Sequence, residues 1–318
     1  MKIFDEAQIR RAVSPSAAVT AVREAFKADG LKRTIVPSVI NLALPGDVGE
    51  FHVKGAYIAG VPHVAIKVAS GFPRNADRAL PTGSGLMVVF SADTGLPEAL
   101  LLDNGYLTDV RTGASGAIAA EVLAPRDIRT VALLGSGVQA RQQVACLREV
   151  RRFERLRAWS PNAQRLARYC DEMRTAYRLD VAPAASLEDL CREADVLITT
   201  TPSRAPLVRA EWLRPGMHIT AVGSDSPGKQ ELDPSCLSRA DLVVADRLAQ
   251  CTAFGELAHA PAVKAHAELG QIVAGLRPGR TDQNQITIAD LTGVGFQDTA
   301  IASAALGALA NQELRDKT

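Results

Sequence analysis

Clustered charge is missing from this sequence. Lys and Arg are scattered along it and the net charge is only +1, so nothing draws the chain to nucleic acid or to an anionic membrane. Also missing is any run of the ~18 apolar residues that a membrane-spanning helix needs. The amino terminus, M-K-I-F-D-E-A-Q-I-R, carries charge where a signal peptide needs an apolar core. The expected compartment is therefore the cytoplasm. The five cysteines (Cys146, Cys170, Cys191, Cys236, Cys251) are odd in number, lie far apart and contain no C-x-x-C pair, as suits reduced, buried thiols. The five histidines form no H-x-x-H or H-E-x-x-H spacing, so no metal site is expected. What is present is an ordinary globular composition, 47% hydrophobic and 22% charged, in 318 residues, long enough for two domains with separate cores. The partners this implies are small molecules and copies of the chain itself.

One stretch organises the rest. Thr130 to Ala140 reads T-V-A-L-L-G-S-G-V-Q-A, an apolar strand running into a glycine turn and then into a helix-compatible segment. Gly135 suits the sharp reversal, and Gly137 lets a phosphate approach the backbone without meeting a side chain. Ala140 stands where a third glycine is often found. The amides of this turn and of Val138 and Gln139 would lie at a helix N-terminus, whose partial positive charge attracts a pyrophosphate. A glycine turn that binds nothing is the alternative.

Along the chain, Ser14-Pro15 predicts a helix start, and Val19, Val22 and Phe26 give that helix an apolar stripe. Short β-branched runs follow (Thr34 to Ile40, Glu50 to Lys54, His63 to Val68), then Gly85 to Ser91 and Glu98 to Asp103, reading as a meander of antiparallel strands. Tyr106 to Ala124 is rich in small residues at helical spacing, a helix whose small face admits either another helix or a cofactor. From Arg129 onward strands alternate with helices, which predicts a Rossmann doubly wound parallel sheet. The fold class is α/β, with that sheet joined to a separate α+β domain. The expected boundaries are 1–120, completed by 296–318, for the α+β domain and 121–295 for the dinucleotide domain.

The second strand of a dinucleotide fold usually ends in an acid that holds the ribose hydroxyls of NAD. Here the sequence reads Trp159-Ser160-Pro161-Asn162 with Arg165 one turn on. No carboxylate would repel a 2′-phosphate, and Ser160, Asn162 and Arg165 could bond it. NADP(H) is favoured on this ground, with NAD possible. Thr200, Thr201 and Pro202 follow a later strand at the ligand-binding edge, as does Asp225 in G-S-D-S-P-G-K-Q-E-L. Asp225 has two readings: a turn former bonding its own backbone, or a group exchanging a proton with a substrate nitrogen.

Several segments together resemble the ornithine cyclodeaminase and mu-crystallin family of NAD(P)-dependent enzymes, over nearly the full chain. They are V-A-I-K-V-A-S-G-F-P-R-N, L-T-D-V-R-T-G-A-S-G-A-I-A-A, L-L-G-S-G-V-Q-A-R, G-S-D-S-P-G-K-Q-E-L-D, G-E-L-A-H-A and D-L-T-G-V-G-F-Q-D. The resemblance implies that Lys67 and Arg111 hold a substrate carboxylate, that Thr112 lies beside the cofactor, and that Asp225 is the acid/base, Lys67 and Asp225 being the catalytic pair. It also implies that the α+β domain is a substrate-binding and dimerisation domain, through which a homodimer forms. One departure stands out. Many relatives carry an arginine in a P-x-R segment as a second clamp on the carboxylate, and here the stretch is Pro37-Ser38-Val39. Lys54 is the candidate replacement, the alternative being a solvated strand lysine. The expected activity is NAD(P)H-dependent reduction of a small imino acid of the ketimine or pyrroline-2-carboxylate type. The alternatives are a cyclodeaminase that releases ammonia from a diamino acid, and a noncatalytic ligand-binding protein of the mu-crystallin kind.

Overall fold

The computed structural model describes residues 1–315. The chain divides into two compact units, one formed by Met1–Arg111 with the segment from Val294 on, the other by Thr112–Gly293. The first division falls inside a helix, where no composition shift marks it.

In the first unit, β1 (Lys2–Asp5) leads into α1 (Glu6–Ala12), started by a reciprocal capping box between Asp5 and Gln8. Ser14 caps α2 (Pro15–Gly30) by accepting from the Ala17 amide, and Val19, Val22 and Phe26 are buried along it. The run predicted from Thr34 to Ile40 is interrupted around Pro37, which has no N–H to donate. It gives β2 (Thr34–Ile35) and β3 (Ile40–Ala43), both antiparallel to β4 (Glu50–Ile58). β5 (His63–Gly71), β6 (Gly83–Ser91) and β7 (Pro97–Leu102) continue the meander. The sequence reading did not anticipate β1, which adds to β7 in parallel. Among the described residues the sheet is thus seven-stranded and mixed, in the order β1-β7-β6-β5-β4-β2, with β3 also on β4.

Strand alternation sorts the side chains of this sheet. Lys54, Lys67, Met87 and Leu101 form one register row, and all four are buried. The adjacent row, Ile3, Leu100, Val88 and Ile66, points to the opposite face. Next comes α3 (Tyr106–Leu123), whose first turn is capped by the buried Asp103 carboxylate accepting from the Leu107 amide at 2.7 Å.

The second unit runs β8 (Thr130–Leu134), α4 (Val138–Val150), β9 (Arg155–Trp159), α5 (Ala163–Tyr177), β10 (Asp180–Pro183), α6 (Leu187–Glu193), β11 (Val196–Thr199) and β12 (Arg204–Val208). It continues through β13 (His218–Ala221), β14 (Gln230–Leu232), α7 (Pro234–Arg239), β15 (Leu242–Ala245), α8 (Leu248–Phe254), β16 (Ala267–Glu268), α9 (Leu269–Val273) and β17 (Thr287–Asp290). Among the described residues eight strands form a parallel sheet in the order β10-β9-β8-β11-β13-β17-β15-β16, while β12 and β14 pair separately. This is the doubly wound arrangement expected. Its strand order reverses between β8 and β11, the switch point beyond which such sheets bind ligands.

The small face of α3 is met by α4. A Cβ on Gly113 would lie 2.5 Å from the Gln142 carbonyl oxygen, and one on Gly116 would lie 1.9 Å from Gln143 Oε1. All five cysteines are buried and none forms a disulfide among the described residues. Among the described residues no helix is long and apolar enough to cross a membrane.

The chain then returns to the first unit as α10 (Gly295–Arg315). Gly295 makes this docking possible, because a Cβ there would stand 2.3 Å from the Gly55 carbonyl oxygen of β4. Phe296 meets Phe26 of α2 edge to face at 5.2 Å. Thr299 Oγ1 donates to Ala56 O and accepts from the Ala65 amide, tying the helix to β4 and β5.

Candidate active site

In the first unit, three cations gather on one side of the sheet. Lys54 and Lys67 are direct cross-strand partners on β4 and β5, so their side chains leave the same face. They are 8% and 2% exposed, and Arg111 of α3 is 4% exposed. Val39 lies just before β3, whose first residue Ile40 pairs with Val53, the neighbour of Lys54.

Asp298, in the first turn of α10, is fully buried and holds two of these cations. Lys67 Nζ lies 3.2 Å from Asp298 Oδ2, and Arg111 Nε donates to Asp298 Oδ1 at 3.0 Å. Arg111 Nη1 donates to Gln297 Oε1, also at 3.0 Å, which orients the planar guanidinium. Burial is the main cause of a Lys67 pKa lowered to about 7, with the Arg111 and Lys54 charges acting the same way and Asp298 opposing them. Gln297 is fully buried, and its Nε2 donor has no hydrogen-bond partner among the described residues.

The sequence reading named Lys67, Arg111 and Lys54 but missed Gln297 and Asp298. The signal was present, since D-L-T-G-V-G-F-Q-D closes on those two residues at a helix start. What the local pattern could not show is that this acid serves lysine and arginine side chains far away in sequence.

The second unit carries the glycine turn. Gly135 has φ +117°, in the region that favours glycine, and a Cβ there would stand 2.5 Å from Thr200 Oγ1. That contact brings the loop after β8 against the loop after β11, where Thr200 donates from both its amide and its Oγ1 to Leu134 O. Gly137 is the N-cap of α4, makes no side-chain cap bond, and opens on space, with nothing within 4 Å of where its Cβ would be. An open cradle beside an uncapped helix start is what a pyrophosphate requires. The residues present thus fit a dinucleotide, with Val138, Gln139 and Ala140 forming the first turn of that helix. Arg141 braces the turn, donating to the Ser136 and Gly137 carbonyls at 2.7 and 2.9 Å.

At the end of β9, Asn162 is the N-cap of α5, and its Oδ1 accepts from the Arg165 amide at 2.9 Å. Ser160 is half-buried and the Arg165 side chain is exposed. Thr112 contributes its carbonyl to Gln143 Nε2 at 3.1 Å. After β11, the Thr201 amide donates to Glu231 Oε1 at 2.6 Å, and Pro202 follows. Asp225, in the loop between β13 and β14, accepts from Lys229 Nζ at 2.7 Å and from Ser226 Oγ at 3.1 Å, with its side chain about half exposed. Neither Lys229 nor Glu231 was singled out from the sequence.

The fold and the glycine cradle define a dinucleotide-binding α/β protein. The chain belongs to the Ornithine cyclodeaminase/mu-crystallin family, whose profile matches residues 2–310. Iminosuccinate reductase of Paracoccus denitrificans is 34% identical, covering 96% of this chain and 95% of that protein. Among solved structures, an archaeal alanine dehydrogenase dimer with bound NAD matches with a TM-score of 0.91 and 32% identity, over 98% of this chain and 97% of that one. Thermococcus litoralis Δ1-pyrroline-2-carboxylate reductase, solved with NADH and L-proline, matches with a TM-score of 0.94 and 26% identity, over 98% of both chains.

Proposed function

We propose that the protein is an NAD(P)H-dependent reductase of a small α-imino acid, acting at a carbon that bears both nitrogen and carboxylate. The supporting observation is the burial together of Lys54, Lys67 and Arg111, of which Lys67 and Arg111 share the Asp298 carboxylate, beside a buried Gln297 amide that has no hydrogen-bond partner among the described residues. A buried donor is costly until an acceptor reaches it, and a substrate carboxylate would supply one among these cations.

In this reading Lys67 and Arg111 fix the carboxylate, Lys54 adds the charge that Val39 does not supply, and Asp298 and Gln297 hold the Arg111 fork at a fixed tilt. Fixing the carboxylate limits the freedom of the adjacent imine carbon, the entropic part of the barrier. A bound nicotinamide supplies or removes the hydride. Asp225, kept in place by Lys229 and Ser226, exchanges the proton at nitrogen. NADP(H) is favoured over NAD because β9 ends at Trp159-Ser160 without a carboxylate and Arg165 is exposed. The similar structures hold NAD and NADH, so both NADPH and NADH belong in the test. A homodimer through the first unit is supported by the sheet face opposite Lys67, where Ile3 is 60% exposed and Ile66 36%.

The test is a panel of cyclic and acyclic imino acids, with amino and diamino acids for the reverse and cyclising reactions, each assayed with NADPH and NADH. Stoichiometric loss of nicotinamide absorbance with an imino acid is expected. Ammonia release from a diamino acid without net absorbance change would replace this reading with a cyclodeaminase. Binding without turnover in every case would remove the enzymatic reading.

A further inference from the structure

Glu231 is wholly buried on β14, where its two oxygens serve two loops. Oε1 accepts from the Thr201 amide at 2.6 Å, and Oε2 accepts from Thr199 Oγ1 at 2.6 Å and from the Gly223 amide at 2.8 Å. Thr199 and Thr201 lie at the end of β11 and in the loop that follows. Gly223 begins the loop that carries Asp225. The loops touch directly as well, since a Cβ on Gly223 would lie 2.2 Å from Thr201 O and 2.5 Å from Glu231 Oε2.

The carboxylate is itself anchored from behind. Glu256 accepts from the Glu231 amide at 2.8 Å and from the Leu232 amide at 3.2 Å, and the neighbouring Leu257 amide donates to Asp290 at 2.9 Å. Burial raises the pKa of Glu231 against the pull of its hydrogen bonds. A buried carboxylate is a costly way to fill space, and an apolar side chain of similar volume would do so more stably. What an apolar side chain cannot do is accept from two loops at once.

We propose that Glu231 is a positioning residue of the reaction: it sets the spacing between the loop that carries Thr200 to Pro202 and the loop that carries Asp225. This rests on the reading above, in which those loops serve the cofactor and the proton. Lengthening either bond would displace Asp225 relative to Thr201 without touching Lys67 or Arg111, which bind the substrate carboxylate.

Glu231→Gln separates this role from a space-filling one. The Thr201 and Gly223 amides donate to different oxygens of the carboxylate, and an amide of the same size puts an acceptor oxygen at only one of those two places and an NH2 donor at the other, so both bonds cannot be kept. Three measurements are made on the full-length protein: steady-state kinetics, thermal unfolding, and hydrogen exchange of the 199–203 and 223–229 segments. The expected result is a kcat about ten- to hundredfold lower, with the KM for the imino acid changed little. Exchange should be faster in at least one of the two segments, in protein that stays folded. The loss should be smaller in an Asp225→Asn background than in the wild type. Wild-type kcat, unchanged exchange in both segments, or a loss that is the same in the Asp225→Asn background would each overturn the proposal. If the wild type reduces no imino acid, or Asp225→Asn is fully active, the reading of the reaction fails instead, and hydrogen exchange still reports whether Glu231 couples the loops.

Discussion

Lys54 and Lys67 face each other across β4 and β5, both buried and both on the same side of the sheet. Like charges placed directly opposite destabilise a strand pair unless an anion is shared between them. Replacing Lys54 with methionine keeps the apolar stem and removes only the charge. The expected result is a rise of about ten- to hundredfold in the KM for the imino acid, the range of a lost charge-assisted hydrogen bond, with intact folding. An unchanged KM and kcat would return Lys54 to the role of a strand lysine.

The pH dependence follows from Lys67, whose pKa is lowered to about 7. An anionic substrate needs the protonated lysine, so kcat/KM should decline as pH rises through that value. Two variants move this limb in opposite directions. Lys54→Met removes a like charge and shifts it to higher pH, whereas Asp298→Asn removes the opposing carboxylate and shifts it lower. Movement of both in one direction would rule out the electrostatic account.

Stability should depend on pH through the buried carboxyls of the second unit. Burial raises Glu256 to about 9 and Asp290 to about 7, each also raised by a neighbouring carboxylate. Folded-state values above the ordinary 4.5 and 3.8 mean that the folded chain binds more protons than the unfolded one between those limits. Stability is therefore lost as pH rises across that window. The melting temperature should be lower at pH ~9 than at pH ~6, and the difference should shrink in Glu256→Gln.

Gly137→Asp tests the cradle. The position has an extended backbone and open space above it, so an aspartate would fit and could cap α4, adding a few tenths of a kcal/mol of stability. Its charge would at the same time repel a pyrophosphate. Unchanged or raised thermal stability with loss of nicotinamide binding in a fluorescence titration is expected. Retained binding would place the dinucleotide elsewhere.

Cofactor choice is tested at Arg165, which is exposed one turn into α5. Arg165→Ala should lower the preference for NADPH over NADH about tenfold or more, the size of a charge-assisted contact with a phosphate. An unchanged ratio of kcat/KM values would remove Arg165 from cofactor selection.

Elements fixed by local chemistry were readable from the sequence. β8 and β9 have the limits that their apolar runs predict, and Ser14 and Asn162 cap helices as their residue types suggest. What escaped depends on distant partners. β1 is four residues, two of them charged, and becomes a strand by pairing with β7 far along the chain. β10 ends in Pro183 at the sheet edge, where a missing N–H costs little and the strand pattern is weak. The α10 start at Gly295 lies against Gly55 of β4, a contact with a distant part of the chain that local pattern does not show. The site divides the same way: Lys67, Arg111 and Asp225 were legible as types in motifs, whereas Asp298, Gln297 and Glu231 gain their meaning from bonds across long stretches of chain.

Asp298 follows its bonded partner Arg111 by 187 residues. On the ribosome, the chain that forms β4, β5 and α3 emerges long before the carboxylate that neutralises its buried cations. Until α10 is made, Lys67 and Arg111 lack the Asp298 carboxylate, while every residue of the second unit has already been synthesised. The first unit is thus begun before the second and completed after it, and the Asp298 contacts with its buried cations have to wait until the second unit has been made.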